Sequence, residues 1–136
     1  MPLLRGKKWL VLAALVLGGA IGAGIASAVT TTTTVADTNT VRERIATITT
    51  DGNFNSGWHI HPGPVIVQVQ DGYLKITQGT CHPNVVGSGE TYIETPGVPV
   101  IATADKATSW TVTEIFPNSS PGSPDRVTTT DPCLNR

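Results

Sequence analysis

Residues 57–78 read Gly57-Trp58-His59-Ile60-His61-Pro62-Gly63-Pro64-Val65-Ile66-Val67-Gln68-Val69-Gln70-Asp71-Gly72-Tyr73-Leu74-Lys75-Ile76-Thr77-Gln78. Val65, Val67 and Val69 recur at every second position, with Gln68 between two of them and Gln70 following the last. That period of two belongs to a half-buried strand, because successive side chains on a strand leave opposite faces. Tyr73 to Gln78 repeats the pattern. Asp71-Gly72 separates the two runs and predicts a two-residue hairpin turn, whose central positions favour positive φ.

Working outward, further short runs rich in Val, Ile, Thr and aromatics follow the same grammar. They span Arg42 to Thr50, Gly57 to His61, Thr91 to Thr95, Val98 to Thr103 and Ser109 to Phe116, with Gly, Pro, Asn and Asp between them. No stretch beyond residue 28 carries a helical period. Many short strands with frequent turns predict an all-β sandwich or barrel. The end of the chain holds Pro117, Pro121, Pro124 and Pro132, so it reads as an irregular segment wrapped on the surface.

The opening residues have another character. Arg5, Lys7 and Lys8 precede an apolar run from Trp9 to about Ile25, and Ala26-Ser27-Ala28 follows with small side chains. This is the order of a secretory signal, with the cut after Ala28. The same run, diluted by four glycines, is nearly long enough to stay in the bilayer as an anchor helix. Both readings put the rest of the chain outside the cytoplasmic membrane, secreted or held at its surface. Residues 29–40 include five consecutive threonines from Thr30 to Thr34 and almost no large apolar side chain. They read as a flexible linker, leaving residues 41–136 as the folded domain.

Charge and cysteine content narrow the options. The 136 residues carry a net charge of −1, and removing the three basic residues of the leader leaves −4. A chain with no basic cluster lacks the footprint of a nucleic-acid binder. Cys81 and Cys133 are the only cysteines, and an even pair in an exported chain predicts a disulfide that pins the tail. Phosphate-cradling loops of the Gly-x-x-x-x-Gly-Lys type and Gly-x-Ser-x-Gly elbows are both absent from the sequence.

The stretch from Gly57 to Gly72 resembles the first motif of the cupin superfamily: a His-x-His pair, a glutamate four or five residues on, and a glycine seven residues beyond it. Gly87-Ser88-Gly89-Glu90-Thr91-Tyr92-Ile93-Glu94-Thr95-Pro96-Gly97 resembles the opening of the second. The resemblance covers about Asn53 to Phe116 and implies a double-stranded β-helix, a small antiparallel barrel with one open end, here preceded by the signal or anchor helix. Two of the family's usual metal ligands are replaced. Val65 stands where the first-motif glutamate is expected, and Val100 or Ile101 where the second-motif histidine should fall.

His59 and His61 lie two apart on a predicted strand, so both can face the lumen and converge on an ion. Zinc takes at least three protein ligands, and non-haem iron takes two histidines with a carboxylate. Glu90, Glu94 and His82 are the candidates for a third. With half of the family set replaced by aliphatic residues, the expected role is binding a small ligand or a protein partner at the barrel mouth without catalysis. Two alternatives stand beside it. One is a metal-dependent enzyme of oxygenase or isomerase type, with iron, manganese or zinc on His59 and His61. The other is a structural module. The resemblance also leaves a homodimer open.

Overall fold

The computed structural model describes residues 28–117 and 123–134. The expected signal or anchor segment therefore lies outside the described residues, apart from Ala28. In chain order the strands are β1 (Ala28–Asp37), β2 (Val41–Thr50), β3 (Phe54–Asn55), β4 (His59–Ile60), β5 (Val65–Asp71) and β6 (Tyr73–Gln78). They continue with β7 (Asn84–Gly87), β8 (Thr91–Glu94), β9 (Val100–Ala104), β10 (Thr108–Pro117) and β11 (Val127–Thr128). One antiparallel sheet runs β1-β2-β10-β5-β8; the other runs β11-β4-β9-β6-β7, with β3 also pairing β9. No helix among the described residues is long and apolar enough to cross a membrane.

The period-two reading of β5 holds residue by residue. Val65, Val67 and Val69 are buried, while Ile66, Gln68 and Gln70 are exposed. Leu74 and Ile76 of β6, Val100 and Ala104 of β9, and Trp110 of β10 complete a core between the sheets. Phe54 meets Trp110 edge to face, ring centroids 4.9 Å apart. Each large side chain withdrawn from water contributes roughly 1.5–3 kcal/mol, so this apolar layer holds the two sheets together.

Two local expectations need correction. The Thr-rich stretch is no loose linker over residues 28–37: it is β1, paired antiparallel with β2 from Ala28↔Thr50 to Asp37↔Arg42. Threonine is β-branched and fits a strand with one solvated face, and a neighbouring strand supplies the order that composition alone does not. Asp71-Gly72 is likewise no hairpin, because β5 and β6 belong to different sheets. It is a corner that carries the chain across the barrel. Gly72 has φ 76, and a Cβ there would lie 2.6 Å from the Ala107 carbonyl oxygen, so only glycine fits the turn.

The tail is more structured than its prolines suggest. β11 pairs with β4 through Val127↔Ile60 and Thr128↔His59, and Cys133 is bonded to Cys81 across 52 residues of sequence, Cα–Cα 5.7 Å. In the chain-entropy view, closing a loop of that length stabilises the fold by about 4 kcal/mol.

Candidate metal centre

The site is assembled from strand ends at the mouth of the barrel. His59 begins β4, and His61 follows it in the loop that leads to β5. That loop lies hard against β10: a Cβ on Gly63 would fall 2.2 Å from the Ile115 carbonyl oxygen, so the approach requires glycine. Both imidazoles are buried, 6% and 5% exposed. Their Nε2 atoms are 3.0 Å apart, and His61 Nε2 lies 3.3 Å from Glu94 Oε2. The three donors fall within 4.8 Å of one another.

The hydrogen bonds behind the rings fix their tautomers. His59 Nδ1 lies 2.8 Å from the Gly57 carbonyl oxygen, and His61 Nδ1 lies 2.9 Å from that of Asp125. A carbonyl only accepts, so each Nδ1 carries the proton and donates it. In the neutral rings both Nε2 atoms then present lone pairs to the same point. Two lone pairs 3.0 Å apart repel unless a proton or a cation lies between them. An Nδ1–H donated to a carbonyl behind a free Nε2 is also how metal-ligating histidines are held. The donor set fits a divalent ion, being two histidines and one carboxylate.

Burial is the leading cause of the pKa shifts of the histidines and the two glutamates. It lowers both histidines, favouring neutral rings. It raises Glu94 to about 7, helped by the negative charge of Glu114, while Arg126 pulls the other way. Glu114 is also raised by burial, although Arg44 opposes this. Arg44 donates through Nε to Glu114 at 2.6 Å and through its other end to Asp125. Burial alone would lower Arg44, but the two carboxylates outweigh it and raise its pKa.

The strand registers explain where the carboxylates come from. Val65 pairs with Glu94 on one side and with Glu114 on the other. The acid missing from the expected position on β5 is thus present on both neighbouring strands, at the same level of the sheet. Of the three residues considered for a third donor, Glu94 is the one that reaches both histidines. Val100, at the second replaced position, pairs with His59 in the backbone ladder and is fully buried.

Of the other candidates, Glu90 is exposed and accepts from the Gly87 amide at 2.7 Å, closing a turn. His82 is exposed in the loop beside Cys81. Neither reaches the site. Glu114, Arg44 and Asp125 were not anticipated. A signal for two of them existed: inward positions recur at Trp110, Val112, Glu114 and Phe116 on β10, and at Arg44, Ala46 and Ile48 on β2. Extending the period of two by one step places a charge at the mouth.

Behind the donors lies a cavity of about 340 Å³. Val67, Leu74, Trp110 and Val112 line its depth, while His59, His61, Glu94, Glu114, Arg44 and Asp125 ring its mouth.

No family model matches the sequence, and no curated protein matches it either. Solved structures do match. A conserved protein of unknown function from Streptococcus pyogenes is 20% identical, with TM-score 0.55, over 68% of this chain and 75% of that one. A protein with a double-stranded β-helix domain from Klebsiella pneumoniae is 16% identical, with TM-score 0.54, over 82% and 90%. The DMSP lyase DddQ from Ruegeria pomeroyi is 14% identical, with TM-score 0.55, over 90% of this chain and 60% of its own. At these identities the likeness is one of fold.

Proposed function

On the premise that this chain is a cupin-fold barrel, we propose that it acts outside the cytoplasmic membrane and binds one divalent metal ion through His59, His61 and Glu94. The ion and the cavity behind it then hold a small organic ligand. The observation that carries this reading is the pair of Nε2 lone pairs, fixed by two carbonyls and aimed at one point beside a buried carboxylate. Nitrogens 3.0 Å apart are spaced as neighbouring ligands of one divalent ion with bonds of about 2.1 Å, such as iron, manganese or zinc. The disulfide supports an oxidising compartment.

The lining defines the ligand class. Arg44 is already engaged by Glu114 and Asp125, which leaves Arg126, also lining the cavity, as the cation open to an anionic head group. The inner wall is apolar and aromatic. The fitting ligand has one anionic or ionisable head at the ion and an uncharged, apolar body. At about 340 Å³ the cavity is at the lower end of small-molecule pockets, roughly 300–1,000 Å³.

A bound ion would act as a Lewis acid on the head group of the ligand. Around it, His59 and His61 keep their Nδ1 protons on carbonyls, the apolar wall excludes water, and Arg44 orients Glu114. That last arrangement favours a second reading, a metal-dependent enzyme in which Glu114 accepts a proton from the ligand. Substituting Glu114→Gln separates the two: it leaves ligand binding intact in both cases but stops turnover only if the protein is an enzyme.

Elemental analysis of the purified protein, beside a His59→Ala/His61→Ala variant, tests the main reading. One divalent ion per chain that vanishes in the variant is expected. A wild-type protein that takes up no manganese, iron or zinc on titration defeats it.

A further inference from the structure

The segment 123–134 touches the metal centre at more points than its composition explains. The Asp125 carbonyl holds His61 in its Nδ1–H tautomer. The Asp125 carboxylate pairs with Arg44, which in turn holds Glu114. β11 flanks the histidine strand β4, whose other ladder partner among the described residues is β9 at the single pair His59↔Val100. The Thr129 amide donates to the Trp58 carbonyl at 3.0 Å, one residue before His59, and Arg42 donates to the Ser123 carbonyl.

Apolar burial does little to keep the segment in place. Val127 and Leu134 are 60% and 76% exposed. A handful of polar contacts, each weak in net terms, does not by itself offset the entropy of ordering a dozen residues. The remaining tie is Cys81–Cys133, which fastens the far end of the segment to the loop after β6. Both cysteines are partly exposed and line a surface cleft with Val98, Pro99 and Pro132, so a thiol reductant can reach them.

We propose that this segment is a disulfide-held strap that positions the metal centre, so that cleaving Cys81–Cys133 lowers metal affinity without unfolding the barrel. The inference rests on the metal-binding reading above. Reduction breaks the S–S bond with two electrons and two protons from a dithiol or two thiols, which become the disulfide. Coupling of this kind is reciprocal: if the strap favours the ion, the ion must favour the disulfide.

The test compares the oxidised full chain with Cys81→Ser/Cys133→Ser, using Mn(II) alone as the probe. Affinity in the variant should fall by about 10–100-fold, the usual effect of removing support behind a metal ligand. Imidazole nitrogen spectra of the metal-free proteins give an independent readout. His61 should lose its fixed Nδ1–H tautomer, while His59, held by Gly57, keeps its own. In glutathione redox buffers, saturating Mn(II) should make the wild-type disulfide harder to reduce, by about 30 mV for each tenfold of coupling. That measurement needs no variant and stands even if the serine protein fails to fold.

Unchanged affinity with an unchanged His61 spectrum overturns the strap, as does a potential indifferent to Mn(II) in protein that binds it. An oxidised wild type that binds none of Mn(II), Fe(II) and Zn(II) defeats the metal reading instead, and the His61 spectrum still decides whether the strap positions the ring.

Discussion

The depth of the barrel and its mouth are built by opposite rules from the same strands. In the depth, Val69, Leu74, Ile76 and Trp110 are buried against one another, and every contact there helps the fold. At the mouth, four residues beyond Trp110 along β10, burial falls on His59, His61, Glu94 and Glu114. These groups lose their water and regain it only in part: Glu94 is pushed up to about 7, and two nitrogen lone pairs face each other. Unpaired buried polarity is costly, so the mouth holds a strain that the depth does not share. The difference assigns stability to one region and binding to the other.

Removing the histidines should separate the regions most sharply. His59→Ala/His61→Ala is expected to abolish metal uptake in elemental analysis, while denaturant unfolding of the metal-free barrel shows no loss comparable to a core deletion. If that variant collapsed, the mouth would be structural.

The complementary change lies in the depth. Leu74 has no exposed surface, and Leu74→Ala should destabilise the barrel by about 2–5 kcal/mol. Metal content per folded chain should stay the same, since the donors hang from other strands.

Glu94 offers a change of pH dependence. Its folded pKa is raised from 4.5 to about 7 by burial and by Glu114, so the folded state binds its proton more tightly than the unfolded chain does. The resulting stability of the metal-free protein is complete below pH 4.5 and is lost as pH rises through 7. At about 1.4 kcal/mol per unit the loss is roughly 3 kcal/mol. Glu94→Gln should flatten that slope in denaturation curves taken across pH, and should also weaken metal binding. A slope that persisted in the variant would place the cause elsewhere.

The smallest effect is expected outside both regions. Lys75 and Asp105 form an exposed pair at 2.9 Å, and Lys75→Ala should leave unfolding midpoint and metal content unchanged.

The apolar depth was legible in the sequence because its signal is local: Val65, Val67 and Val69 announce one strand face by themselves. His59 and His61 were legible as a His-x-His pair, although only His59 lies in β4 and His61 follows it in the loop. Glu94 was visible only as one carboxylate among several, since nothing nearby in sequence says that it pairs with Val65 across β5 and β8. The non-local registers also hid Glu114 and Arg44. The Thr-rich strand was misread because its order comes from β2, and Asp71-Gly72 because a tight turn and a corner between sheets use the same residues. What the sequence withheld was pairing, not composition.

The central claim is that three donors from β4, its following loop and β8 meet at a single ion. The most direct check is a crystal structure of the Mn(II)-soaked protein with anomalous data. The account predicts one peak about 2.0–2.3 Å from His59 Nε2, His61 Nε2 and a Glu94 carboxylate oxygen. A map with no peak there, or manganese bound only at surface carboxylates, would contradict it.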